Sequence, residues 1–510
     1  MREIKTTYYR PKWMCGRYSA HGKVAIVYNL LEGLSYLFED YSALVVSYIL
    51  NVQRGQDVDV SHIAEQTGIL EECISPFFEE LMGLGLILNH VPSDDEEADY
   101  RRQISLYNRT QAEKVETTQE KLPMRVSTAE MDYTEKAGGI TSVMFELTYR
   151  CSEKCIHCYN IGATRNNEEQ SGRASLQELK FEDYKRIIDE LYEEGLTKVC
   201  LSGGDPFSCS FAWEIIDYLY IKGIAFDLFT NGLRLVGNEE RLARYYPHLV
   251  GISIYSGEAQ VHDFITRVKG SWEKSISVVD KLSNLGVPLV LKCCIMRPNV
   301  KTYQSVKALT HKYGANVQFE LNVSDSIEGD KCVSKYLRLS PEILDVVLCD
   351  DNTPMYVGKE APNYGGQPRT MEVNGCGAGY NNFCVTPDGD LIPCCAFHMS
   401  FGNLKQKSVH EIFNHSEQLD WWQKQTLRQY EDCGQHPYCD YCNLCPGNNF
   451  SEHGTPLKAS ENNCYMAKCR YSLAQRMKNG ETPLNGKTVA RCLEEIHSGS
   501  ISVTSLRREI

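Results

Sequence analysis

Cysteine placement constrains this chain more than any other feature. Of 22 cysteines, three stand together as Cys151, Cys155 and Cys158, and ten fall between Cys376 and Cys469. The first thirty residues contain no apolar signal segment, and apolar runs such as 43–50 are too short to span a bilayer. The expectation is a cytoplasmic chain with no membrane partner, in a compartment that keeps thiols reduced. Clustered cysteines in such a compartment bind metal. Cys73, Cys200, Cys293, Cys294 and Cys349 are scattered instead, as small buried hydrophobes would be.

Around these clusters the pattern divides. Residues 1–91 suggest a small domain. It has a β-prone run at 23–28, then Tyr41, Leu44, Val45, Tyr48 and Ile49 at helical spacing. A helix–turn–helix comes next (60–66, a turn at Gly68, 70–82), with a wing strand expected at 84–88. This is a winged-helix outline, often used on DNA. The formal net charge of −14 and the absence of an Arg or Lys run in 69–81 argue against nucleic acid as a partner. Residues 92–139, with the acidic run 94–97 and few apolar positions, suggest a solvated linker. From 140 to 325, six β-prone runs (143–147, 199–202, 225–229, 250–255, 289–295 and 317–321) alternate with helical patterns, the clearest at 181–194. At about 31 residues per unit these are βαβ steps. The fold class is therefore α/β, a partial (β/α)6 TIM barrel with its chemistry at the C-terminal ends of the strands. Residues 326–470 are cysteine-rich and loop-rich, and 471–510 form a helical tail.

Cys151-x3-Cys155-x2-Cys158 comes directly after the first barrel strand. Three thiolates can hold three irons of a cubane and leave the fourth without a protein ligand, which is the open position a catalytic centre needs. Zinc prefers four protein ligands, and His157, lying between two cysteines, is poorly placed to be the fourth.

C-x3-C-x2-C after a strand resembles the signature of the radical S-adenosylmethionine (SAM) superfamily, and the likeness extends further. Tyr159 stands next to the triplet. Ser202-Gly203-Gly204-Asp205-Pro206 ends the second strand where the family carries its GGE-type motif, with Asp205 in place of the commoner Glu. The resemblance implies that this motif holds the methionyl ammonium, the glycines letting backbone approach the ligand. Thr230-Asn231 ends the third strand and Ser253 the fourth. Arg267, in the segment 262–271, is similar to the family's carboxylate-binding arginine.

The second cluster opens with Cys376, Cys384, the turn residue Gly389 and Cys394. It resembles a SPASM domain, which carries two auxiliary [4Fe-4S] clusters; the segments 402–404 and 408–412 are similar to the stretch after the hairpin in that family. The expected pattern C-x2-C-x5-C-x3-C is replaced by Cys439-x2-Cys442-x2-Cys445 and a distant Cys464. On this resemblance Cys376, Cys384 and Cys394 would hold the first auxiliary cluster, with room for an open iron. Cys439, Cys442, Cys445 and Cys464 would hold the second, with Cys395, Cys433 and Cys469 as reserves.

Beside such an enzyme the N-terminal outline resembles a PqqD-like leader-peptide recognition element, in which a peptide adds to a sheet edge. The site expected here lies between the run 23–28 and the helix from Leu70. Together the resemblances imply a SPASM-type peptide maturase. A 5′-deoxyadenosyl radical, made from SAM at a [4Fe-4S] cluster reduced by a donor such as flavodoxin or ferredoxin, would abstract hydrogen from a ribosomally made precursor peptide. The leading expectation is a thioether between a Cys sulfur and a peptide carbon, of sactipeptide or ranthipeptide type. The alternatives are carbon–carbon or carbon–oxygen cross-linking, epimerisation and, from another class, a non-catalytic zinc-binding winged-helix regulator.

Overall fold

The computed structural model describes residues 7–118, 128–160, 177–325, 332–353, 357 and 370–496. At the N-terminus, β1 (Tyr8–Tyr9) pairs with β5 (Asp57–Val58), and β2 (Met14–Ser19), β3 (Val24–Asn29) and β4 (Leu34–Glu39) form an antiparallel sheet in the order β2-β3-β4. The period-2 alternation of β3 divides it between two cores. Ala25 and Val27 pack on α1 (Asp40–Asn51), α2 (Val60–Thr67) and α3 (Glu71–Gly83), while Val24, Ile26 and Tyr28 face the barrel. The helix–turn–helix is present, and Gly68 closes α2 at φ +71°.

The expected wing is not a strand. Over 84–88 only a single bridge, Leu88 to Tyr9, forms. Its carbonyls are taken by side chains instead: Asn29 donates to Leu84 O and the Trp13 indole to Gly85 O. Leu86 and Ile87 are buried in the helical core. The expected peptide seat at 23–28 also fails, because β3 is bonded on both sides. The sheet's edges are β2 and β4. Asp40 N–H donates to Lys23 O, so the alternate residues Ser35, Leu37 and Glu39 turn their backbone groups outward.

The described residues of this stretch, 92–118 and 128–139, are not a loose connector. α4 (Asp94–Thr118) starts at a reciprocal cap between Ser93 and Glu96 and lies across the C-terminal ends of two barrel helices. There Arg101 donates to Leu285 O and Ala243 O. α5 (Thr128–Ala137) is wedged between the N-terminal sheet and the barrel floor. α4 does not announce itself by apolar period, because it meets the barrel largely through Arg101 and backbone, whereas α5 packs Ala129, Tyr133 and Ala137 on the sheet.

The six expected barrel strands all form: β6 (Ser142–Glu146), β7 (Lys198–Ser202), β8 (Ala225–Thr230), β9 (Leu249–Ser253), β10 (Leu289–Cys294) and β11 (Asn316–Glu320). They are parallel and neighbour one another in chain order. Outward residues such as Val143, Phe145, Val199, Leu201, Val250 and Leu291 are fully buried under the helices. Inward residues, including Cys200, Ser202, Phe229, Ser253 and Lys292, are only half-buried, so solvent reaches the inner face.

The sheet does not stop at β6. β12 (Asn382–Val385) adds parallel to it, and β13 (Asp390–Ile392) and β14 (Gly402–Asn403) continue antiparallel, giving nine strands in one sheet. Gly389, at φ +95°, makes the β12–β13 turn as the sequence indicates. The tail contains the helices Glu461–Lys478 and Val489–Glu495, and residues 497–510 lie outside the described residues. Among the described residues no helix is long and apolar enough to cross a membrane.

Candidate active site

Cys151, Cys155 and Cys158 lie on the loop leaving β6, at the C-terminal end of the sheet. Two hydrogen bonds pin this loop to the helix Ala259–Thr266, from Lys154 N to Thr266 O and from Ile156 N to Ile265 O, each 2.9 Å. The next strand ends lock it from the other side. Gly204 N donates to Thr148 O at 2.6 Å and Asp205 N to Arg150 O at 3.0 Å. A Cβ on Gly203 would stand 2.4 Å from Thr148 O, and one on Gly204 2.4 Å from Arg150 O. Both glycines are therefore required by the close approach of the cysteine loop itself, whatever a ligand asks of them.

Asp205 is fully buried and its carboxylate is spent internally. Oδ2 accepts from the Thr230 hydroxyl (2.6 Å) and Asn231 N (3.1 Å), and Oδ1 accepts from Phe207 N (3.1 Å). Asp205 therefore acts as a brace between β7 and β8. Asn231 extends the brace, its Nδ2 donating to Cys151 Sγ at 3.3 Å and to Ser152 Oγ at 3.2 Å. The Tyr159 hydroxyl donates to the buried Glu146, which also accepts from Tyr149. Ser253 closes β9, half-buried, and hydrogen-bonds the Tyr255 side chain. Arg267, exposed and at φ +58°, caps the helix Ala259–Thr266 beside the carbonyl that holds Lys154.

One group inside the loop, Glu153, was missed by the motif. Glu153 is buried, and burial first, then Asp205 and Asp263, pushes its carboxyl up to about 8 against the Cys155 hydrogen bond. Burial pushes His157 down to about 4, and its ring stands edge-on to Tyr255 at 4.7 Å. Among the described residues no three Cys, His, Asp or Glu side chains converge on one point. A single tetrahedral zinc needs that convergence, whereas in a cubane each thiolate bonds its own iron. The donor set of the loop, three thiols with a neutral histidine turned to an aromatic ring, fits the cubane.

In the C-terminal region the cysteines sort differently from the sequence reading. Cys433, Cys439, Cys442 and Cys464 line one cavity, walled by Leu427 and Leu444. Cys445 is not among them. Its neighbours are Cys376 and Cys394: burial raises the Cys394 thiol, with Cys395, Cys445 and Cys376 adding to it, and burial raises Cys445, with Cys376 adding to it. Cys384, fully buried on β12, faces Glu146, Cys395, Cys394 and Cys200 along the inner sheet face. Of the scattered thiols, Cys200 and Cys294 face the barrel interior and Cys73 is exposed, so these three are not core hydrophobes.

A family profile described as the radical SAM superfamily matches residues 145–304, and one described as an iron–sulfur cluster-binding domain, SPASM, matches 376–446. The antilisterial bacteriocin subtilosin biosynthesis protein AlbA of Bacillus subtilis is 28% identical over 319 residues, 59% of this chain and 66% of AlbA. The mycofactocin maturase MftC of Mycolicibacterium smegmatis is 28% identical over 341 residues, 63% of this chain and 81% of MftC. The crystal structure of Streptococcus suis SuiB bound to S-adenosylmethionine shares the fold with a TM-score of 0.51 at 14% identity, covering 89% of this chain and 99% of that one. The chain carries a radical SAM domain and a SPASM domain. It is an enzyme whose cofactors are S-adenosylmethionine and iron–sulfur clusters.

Proposed function

We propose that this enzyme modifies a ribosomally made precursor peptide and joins a Cys sulfur to a peptide carbon as a thioether. The observation that carries the reading is the split of the C-terminal thiols. Four cysteines surround one cavity, and a separate set of three, Cys376, Cys394 and Cys445, lies towards the barrel. On this assignment Cys433, Cys439, Cys442 and Cys464 hold the second auxiliary cluster. The first, held by three thiols, keeps a place for a substrate thiolate unless Cys384 closes it. The name of AlbA, a bacteriocin biosynthesis protein, supports a peptide substrate.

When bound, the SAM-binding cluster and SAM supply a carbon radical able to take hydrogen from an unactivated position. The protein's own part is placement. The Asp205–Thr230–Asn231 brace fixes the Cys151 loop, Ser253 and Arg267 stand at the rim for the SAM ribose and carboxylate, and the half-buried inner face receives the peptide. The leader segment would add to the free edge of β4, where Phe38 stacks edge-on against Phe77 of α3 at 5.9 Å. A single-electron donor such as flavodoxin or ferredoxin completes the partners.

A second reading, peptide epimerisation, draws on the interior thiols Cys200 and Cys294 as hydrogen donors. The test is co-expression with candidate precursor peptides and then mass analysis under alkylation. A thioether removes two hydrogens and one alkylatable thiol per link; a product of unchanged mass containing a D-residue sinks the thioether reading in favour of epimerisation. Cys155→Ala is expected to abolish 5′-deoxyadenosine formation while auxiliary-cluster absorbance persists.

A further inference from the structure

On the inner face, one cation stands apart from every ion pair among the described residues. Lys292 on β10 points inward, with Cys200, Cys395, Asp227 and Glu320 as its nearest charged or titratable neighbours. Among the described residues no carboxylate lies within 4.0 Å of its ammonium, although two are close by. Both are engaged elsewhere. Asp227 holds His248 Nδ1 at 2.7 Å and faces Lys198 at 3.8 Å. Glu320 folds its Oε1 back onto Leu321 N and Asn322 N, at 2.9 and 2.8 Å.

The lysine is also firmly positioned. Its Nζ lies 3.4 Å from the centre of the Phe229 ring, which belongs to β8, two strands away. The strand between them contributes Gly251. A Cβ there would stand 2.7 Å from Phe229 Cδ1 and 3.0 Å from Lys292 Cδ. The glycine thus opens a notch across β9 in which the stem of Lys292 and the Phe229 ring meet, and the ammonium is held over the ring rather than left to swing. Burial holds this ammonium below its ordinary pKa, and the facing thiols and carboxylates offset that only in part. A half-buried cation with an aromatic seat and, among the described residues, no carboxylate in contact is an incomplete site, which an anionic ligand completes.

We propose that Phe229, Gly251 and Lys292 form a carboxylate subsite that anchors an acidic group of the peptide inside the barrel. The proposal rests on the peptide-modifying reading above. It makes Lys292 a specificity-determining residue: peptides offering a carboxylate at the right distance from the reacting carbon are held in register.

The experiment uses anaerobic holoenzyme saturated with SAM and maps lysine acetylation by N-hydroxysuccinimidyl acetate with peptide mass spectrometry. N-Acetyl-aspartate methylamide supplies a side-chain carboxylate, N-acetylalanine a terminal one, and N-acetyl-asparagine methylamide neither. The expected result is that at least one carboxylate probe slows labelling of Lys292 five-fold or more. The asparagine compound should not, and labelling of the exposed Lys424 should be unchanged by all three. Which probe protects tells a side-chain from a terminal carboxylate. Gly251→Ala, with clusters verified by absorbance, is expected to lose the protection. Equal protection by all three probes, protection by none, or complete protection by SAM alone overturns the subsite. The same preparation is assayed for reductive SAM cleavage: cleavage without protection removes the subsite and leaves the enzyme reading standing, whereas protection without cleavage does the reverse.

Discussion

Gly204→Ala separates two reasons for a glycine. If the residue served only the approach of a ligand, an added methyl would weaken SAM binding and leave the cluster alone. The structure gives another expectation. The new Cβ would lie 2.4 Å from Arg150 O, 2.5 Å from Tyr149 O and 2.7 Å from Tyr149 C, all of them backbone. Reaching even 3.0 Å requires the loop ahead of Cys151 to retreat by roughly 0.6 Å. That retreat strains the Gly204–Thr148 and Asp205–Arg150 hydrogen bonds, each worth about 1 kcal/mol, and adds an overpacking cost of about 1–3 kcal/mol. The whole chain tolerates such a loss, but the geometry of the three thiols does not, since displacements of this order cost about 100-fold in rate. The assay is anaerobic reconstitution, electron paramagnetic resonance of the reduced SAM-binding cluster without SAM, and 5′-deoxyadenosine formation with dithionite. The variant is expected to show a broadened or diminished cluster signal before SAM is added, and at least ten-fold slower cleavage. A wild-type signal with only weaker SAM binding would refute the packing argument.

The same geometry yields other expectations. Cys433→Ser and Cys445→Ser should each remove about four of about twelve irons, but with different spectra, since they belong to different thiol groups; identical losses would return Cys445 to the second cluster. Lys198→Met removes a cation shared by the half-buried Glu130 and Asp227 and should destabilise the fold by about 2 kcal/mol in anaerobic denaturant titration. The same pairs set a pH window. Burial opposes the charge of Asp227, but His248 and Lys198 outweigh it and hold the carboxyl below its ordinary value of 3.8, so its contribution is present above that pH and lost as pH falls through the folded value. Burial likewise opposes Lys198, but Asp227 and Glu130 hold it above 10.5; its contribution is complete below that pH and fades as pH rises through the folded value. Denaturation midpoints should therefore drop outside these two limits as the Asp227–Lys198 pair loses its charges. Ser35→Pro removes an outward N–H from β4 without touching the ladder to β3, and should weaken leader-peptide capture, read by fluorescence anisotropy, while peptide-independent SAM cleavage is unchanged.

The barrel was legible because its strands are apolar runs flanked by helical patterns, and its mouth because Cys151, Gly204, Asn231 and Arg267 occur in order after successive strands. What stayed hidden was tertiary. α4 escaped because its contacts are arginine-to-carbonyl and backbone-to-backbone, although the Ser93–Glu96 cap was there to be read. The wing at 84–88 had the right residues but found its hydrogen bonds in Trp13 and Asn29, far away in sequence. Cys433, held in reserve by the spacing, lines the cavity that Cys445 does not, because spacing orders ligands along a chain and says little about which cavity they line. Lys292 could have been found by strand parity: it shares the inward register of Ser253.

The three-stranded sheet sits under the barrel floor, where Tyr28 meets Thr197 and His248, while the Cys151 loop opens at the far rim. A peptide clasped along β4 must therefore travel outside the barrel before it can enter. Strands of five residues set that detour at roughly 17 Å or more, so on the order of five to ten extended residues must separate the clasped segment from the first altered one. On the proposed leader site the barrel would act as a ruler, and shortening that spacer should spare binding while starving the reaction.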